Sequence, residues 1–432
     1  MMAKLTVLSE VAQMQRRTRS PAHPFNLSYR PWQIQPFFIA PVLPGETMQE
    51  VTVQARTVTD PIQNGLIGWW LEHYVFYVKL RDLYARDKFT EMLLKPEADL
   101  SSLDAATDVK YYHQNGVGLA INWAKLCTEV VVDNYFRNEG EVAGDYTLNG
   151  MYTASVNINN ALDSAINAAA LEAAANVDQN LVSTTAGQGD ATTGVWTSEI
   201  AKAMREWEFA RMNKVTDMTF EDWCAQFGVA MPQQDVFAPE LVRYSKEWTY
   251  PTNTVEPTTG VPKSACSWAV AFQGNKHRFF KEPGFLIGLT VVRPKIYFTN
   301  LDSSFSMLMR DAYSWLPPSL AADPYASFLK VAASDPPLDA NTGAYYVDIK
   351  DLLLHGDQFV NYAMGTAGRN HVALPNAALT NKRYPASTDA DAMFVDTTAG
   401  VGAVKSDGIV NLRILGRQVE TSPQNTGTNK TV

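Results

Sequence analysis

The 432-residue chain is poor in the residues that usually announce chemistry. It has three cysteines, Cys127, Cys224 and Cys266. They are far apart and odd in number, so neither a disulfide framework nor a Cys-x-x-Cys zinc half-site can be drawn from them. Each reads as a small buried apolar residue, which suits assembly in a reducing cytoplasm. No run of 18 apolar residues occurs. The longest candidate, 284–292, has the length of a strand, so no membrane insertion is expected. No apolar run precedes a small-residue cleavage site near the start, which argues against a secretory signal. Charged residues make up only 19% of the chain, below the roughly 25% of an average soluble protein.

Catalytic patterns are missing too. There is no G-x-x-x-x-G-K-[ST] loop, no G-x-G-x-x-G loop and no G-x-S-x-G elbow. The six histidines, His23, His73, His113, His277, His355 and His371, never fall at H-x-H or H-E-x-x-H spacing. Two carboxylate groups, Glu139/Glu141/Asp145 and Asp389/Asp391/Asp396, lie in Gly-, Ala- or Asn-rich stretches and read as solvated loop charge rather than a glycosidase pair. No catalytic residue, metal ligand or cofactor is assigned, and the chain is not expected to be an enzyme.

What the chain does have is apolar and aromatic surface. Hydrophobic residues are 46%, and 10 Trp, 18 Tyr and 19 Phe bring the aromatics to 11%. That is ample for a core, and with so little charge it fits a protein that covers much of its surface with partners. The net charge of −9 is uneven. Residues 1–30 carry Lys4, Arg16, Arg17, Arg19 and Arg30 against Glu10, a balance of +4, leaving −13 on the rest. Residues 1–30, with Pro21 and Pro24, read as a basic arm. Its five cations are the candidate nucleic-acid contacts, because unspecific binding needs positive charge against phosphate.

Beyond the arm, 31–47 reads as an extended, bulged or edge-like strand, with Pro36 and Pro41 excluding helix and Pro44-Gly45 marking a turn. Residues 48–58 alternate, with Val51, Val53, Ala55 and Thr57 on one face. A third strand spans 69–79. Residues 86–95, 117–136, 161–176 and 198–210 carry helical patterns, the second apolar enough to be buried, and Gly228 stands where a helix-ending glycine belongs. Strand character returns at 265–272 and at 284–299, where both faces are apolar, and short β segments are expected at 392–395 and 409–415. Adjacent aromatics such as Trp69-Trp70 point to a sheet buried on both sides. Strands flanking a helix-rich insertion at about 80–230 suggest an antiparallel β-sandwich rather than βαβ units.

Four stretches in order carry a resemblance: APVLPGETMQEVTVQARTVTDPI at 40–62, GWWLEHYVFYVKLRDL at 68–83, FGVAMPQQDVFAPELV at 227–242 and RFFKEPGFLIGLTVVRPKIYF at 278–298. Together they resemble the major capsid proteins of microviruses, small tailless bacteriophages with single-stranded DNA. The aromatic strand departs from the well-known branches, reading F-Y-V-K where others carry F-F-V-P, and 140–195 matches nothing recognisable, so a divergent branch is expected. The resemblance implies a mainly β fold, a single viral jelly roll of eight antiparallel strands with long loop and helical insertions, occupying 31–432 behind the arm. It implies about sixty copies in a T=1 icosahedral shell around a circular single-stranded DNA genome, assembled in the bacterial host cytoplasm. Further partners it implies are a pilot or minor capsid protein, a small DNA-binding protein, a scaffolding protein and a host cell-surface receptor. Residues 140–195, with the small-residue tip STTAGQGDATTG, are expected as a surface protrusion. The alternatives are a jelly-roll enzyme acting on glycans and a carbohydrate-binding module.

Overall fold

The computed structural model describes residues 16–62, 67–83, 122–137, 147–148, 150–155, 166–167, 224, 227–228, 238–255, 262–274, 277–295, 328–332, 344–348, 384–385, 390–391, 393–395 and 402–417. These residues are mainly strand, and every pairing is antiparallel. Two four-membered layers form the body.

The first layer is built from β1 (Arg16–Arg19), β2 (Ala22–Tyr29), β4 (Thr47–Thr59), β12 (Ser267–Gly274), β13 (Arg278–Phe279) and β17 (Val404–Arg417). β1 and β2 pair successive stretches of β17, and β12 and β13 pair successive stretches of β4, so each pair acts as one bent strand. The second layer runs β3 (Gln35–Val42), β14 (Gly284–Pro294), β5 (Trp69–Lys79), β9 (Glu240–Thr249). Counting each bent strand once and numbering along the chain, the layers read 1-8-3-6 and 2-7-4-5.

The alternating positions of β4 explain how the layers meet. Val51, Val53, Ala55 and Thr57 are buried while Gln54 and Arg56 are exposed. Val51, Val53 and Ala55 share one apolar cluster with Phe25, Phe37, Phe38, Val75, Tyr77, Leu286, Val410 and Leu412, which joins both layers. A second cluster around Trp32, Trp69, Trp268 and Phe394 closes one end.

The outer face of the second layer is apolar as well. Phe76, Val78, Ile287, Leu289 and Val291 pack beneath α2 (Trp123–Tyr135), whose Cys127, Val131 and Val132 point inward. Fully burying one valine side chain contributes roughly 1.5–3 kcal/mol. Asn122 caps the helix, its side-chain oxygen accepting the Lys125 N–H at 3.1 Å. The helix is thus buried on one side only, whereas the apolar run 117–136 suggests burial all round. Its other side carries Asp133 and Asn134 to solvent.

Smaller elements complete the description: α1 (Leu80–Leu83), the pair β6 (Thr147–Leu148) and β7 (Met151–Tyr152), the pair β10 (Thr252–Val255) and β11 (Pro262–Ala265), and a three-stranded sheet of β15 (Phe328–Ala332), β16 (Ala344–Asp348) and β8 (Ile166–Asn167). At 166–167 the alanine-rich segment is strand, not helix. Pairing with Tyr345 and Tyr346 overrides local propensity there. At the 392–395 segment, Phe394 makes a single bridge to Ile62 rather than a strand. The helices expected at 86–95 and 198–210, the 183–194 tip and the rest of 161–176 lie outside the described residues. Among the described residues no helix is long and apolar enough to cross a membrane.

Candidate functional site

The basic residues of the amino-terminal segment are the candidate site, and the structure gives them definite places. From Arg16 onward the segment is not a free arm but part of the first layer. Arg16 to Arg19 lie opposite Arg417 to Ile414 of β17, and Ala22 to Tyr29 opposite Asn411 to Val404. The physical reason is period: Phe25, Leu27 and Tyr29 alternate with polar residues and complete the edge of the sheet.

Arg19 reaches the turn between β3 and β4. Its Nε and Nη2 donate to the Glu46 carboxylate at 3.0 and 2.8 Å, and Nη2 also donates to the Pro41 carbonyl at 2.8 Å. Glu46 is buried and also accepts the Leu43 N–H at 2.9 Å. The turn runs through Gly45 at φ +83°, a conformation the Pro44-Gly45 pair anticipates. Arg16 donates to the Gly45 carbonyl at 2.9 Å. Arg30 makes a two-pronged pair with Asp391 at 2.8 and 3.1 Å. Arg17 is exposed on β1. Lys4 lies outside the described residues.

The four described cations are therefore not all free to form one basic surface. Arg19 and Arg30 are neutralised by carboxylates inside the fold. Of the carboxylate groups singled out by sequence, Asp391 is the described member, and its partner is Arg30. Glu139, Glu141, Asp145, Asp389 and Asp396 lie outside the described residues.

Two charged groupings escaped the sequence. Glu72 on β5 is fully buried, and its carboxylate accepts Arg293 at 3.0 and 2.6 Å, the Tyr74 hydroxyl at 2.9 Å and the Tyr244 hydroxyl at 3.3 Å, with Lys246 at 3.9 Å. Burial, reinforced by Glu72, pushes the Tyr244 hydroxyl up to about 12. Both oxygens of Glu72 are engaged, so the network ties β5, β9 and β14 together. The second grouping gathers Lys79, Arg81, Asp82 and Glu282 where β5 runs into α1. Arg81 meets Glu282 at 2.9 Å, and burial raises the Asp82 carboxyl. Neither was visible as a motif, because the partners are 221 and 201 positions apart in sequence.

His73 is the third feature. It sits in the core between Phe37, centroids 5.5 Å apart, and Phe272 at 6.1 Å, and burial pushes its imidazole down to about 4. It is a core residue held neutral. Among the described residues no three His, Cys, Asp or Glu side chains gather as metal ligands. Cys127 and Cys266 are buried, and burial raises both thiols, which makes them unreactive.

No protein-family model matches the chain, and no curated protein matches it.

Proposed function

We propose that this is a structural protein, the major capsid protein of a microvirus-like bacteriophage, built on a single jelly roll and assembling into a T=1 shell around circular single-stranded DNA. The observation that supports this most is the strand order, 1-8-3-6 against 2-7-4-5. It is the order produced when a long antiparallel hairpin is rolled into two facing sheets, the jelly roll common among viral capsid domains. Three of the four stretches that carry the resemblance cover core strands, 40–62 the β3–β4 turn with β4, 68–83 strand β5 and 278–298 β13 with β14, and the end of the other enters β9 at Glu240. In this reading each subunit meets several neighbours through weak contacts, and multivalency closes the shell. Ion pairs with Glu46 and Asp391 hold Arg19 and Arg30, so in this reading DNA contact is sought at the exposed Arg16 and Arg17 and in residues 1–15, which include Lys4.

The test is light scattering after size exclusion on material from producing cells, with absorbance at two ultraviolet wavelengths. About sixty copies of a 47.8-kDa chain make a particle of about 2.9 MDa with nucleic-acid absorbance. A species of one or two chains, free of nucleic acid at every salt concentration, overturns the reading.

A further inference from the structure

Strand β9 is the outer strand of its sheet. Among the described residues it pairs with β5 on one side and with no strand on the other. An open edge is a template for another strand unless it is short, broken by proline or guarded by charge. β9 is 10 residues long and has no proline. Its charges are arranged unusually. Glu240 is bound to Arg278, and Lys246 lies 5.1 Å over the Trp70 ring beside Glu72. Arg243 and Glu247 are exposed, each two residues from Ser245 and on the same side of the sheet, with the Arg243 guanidinium 5.8 Å from the Phe272 ring centroid and the Ser245 hydroxyl donating to Glu247 at 3.5 Å.

We propose that β9 pairs antiparallel with β9 of a second copy of this chain, about a twofold axis at Ser245, so that two four-stranded sheets become one of eight. The partner's identity as another subunit rests on the shell reading. The run Arg243-Tyr244-Ser245-Lys246-Glu247 is complementary to itself when reversed. With Ser245 opposite Ser245, Arg243 of each copy stands opposite Glu247 of the other, and Tyr244 opposite Lys246. That gives two ion pairs and two cation–π pairs across the dyad. Val242 falls opposite Trp248, a residue 38% exposed. The nearest registers that keep a twofold place the axis at Tyr244 or at Lys246, and both separate Arg243 from Glu247, so charge selects the register.

The test uses the full chain carrying Ser245→Cys. Residues facing each other at an antiparallel dyad have Cα atoms about 4.5–5.5 Å apart, within disulfide reach. Oxidation with copper–phenanthroline in air is expected to give a thiol-reversible dimer at roughly ten times the wild-type background, which Cys224 sets. Tyr250→Cys is expected to give no more than that background, since that register holds the two Tyr250 positions about 34 Å apart. Adding Arg243→Glu to the Ser245→Cys chain lowers the yield roughly tenfold, and adding Glu247→Arg as well restores it. Equal cross-linking at 245 and 250, no cross-link at 245, or indifference to charge reversal overturns the proposal. Megadalton particles without the 245 cross-link leave the shell reading standing and sink this one. A cross-linked dimer with no larger species does the reverse.

Discussion

Arg19 grips the carboxylate of Glu46 with two hydrogen bonds, fastening strand β1 to the turn that follows β3. Arg19 keeps a quarter of its side chain exposed while Glu46 is almost fully buried. Removing the cation strands a buried anion that keeps one backbone partner, the Leu43 N–H. Arg19→Ala is expected to cost about 2–3 kcal/mol in urea unfolding, below the roughly 3–5 kcal/mol of a fully buried broken pair because Arg19 is a quarter exposed. Arg19→Met with Glu46→Leu removes both charges and should recover most of that loss. If the single change is silent, the pair is not what fastens the strand.

The imidazole of His73 predicts an acid-sensitive fold. In the core it stays neutral down to about pH 4, whereas in the unfolded chain it takes up its proton near 6.5. The unfolded state therefore binds more protons within that window, and stability falls as pH drops through it, by about 3 kcal/mol at 1.36 kcal/mol per pH unit. His73→Phe keeps an aromatic ring between Phe37 and Phe272 and should flatten this part of the curve. Denaturation midpoints at pH 7 and pH 4.5 for both proteins decide it.

Gly288 marks the bulge where β14 shifts register against β3. A Cβ there would overlap the rings of Phe38 and Phe37. Gly288→Ala is expected to lower stability by about 1–3 kcal/mol, the usual cost of overpacking. Phe38→Leu in the same chain should return part of it. Thermal unfolding of the single and double variants measures the coupling.

Thiol chemistry should separate the three cysteines. Cys127 and Cys266 are buried with raised thiols, and Cys224 is half-exposed. An aromatic disulfide reagent at pH 8 is expected to modify one thiol per chain quickly and the other two only as the chain unfolds. Three fast thiols would mean that the layers open readily.

Strands whose burial follows from local alternation were legible early. The face of Val51, Val53, Ala55 and Thr57, the strand at 69–79 and the two-sided apolar strand from 284 all stand in the structure, at β4, β5 and β14. So does the turn at Gly45, because a positive φ asks for glycine. β9 was not legible. Its residues, ELVRYSKEWT, lack strict alternation, since the strand lies at an edge and every one of its side chains is at least partly exposed. The arginines of the first segment misled for a related reason. A guanidinium bound to a carboxylate 27 or 361 positions away looks, in sequence, the same as one in solvent.

The sequence by itself determined which segments could be strands, where turns had to fall, and that chemistry-bearing motifs were scarce, because those properties depend on neighbours two to four residues away. Only the tertiary structure decided which strands pair, which carboxylate neutralises which arginine, and that His73 is held uncharged. Those outcomes depend on burial and on partners hundreds of residues distant, and burial is what turns a weak surface charge into a costly one.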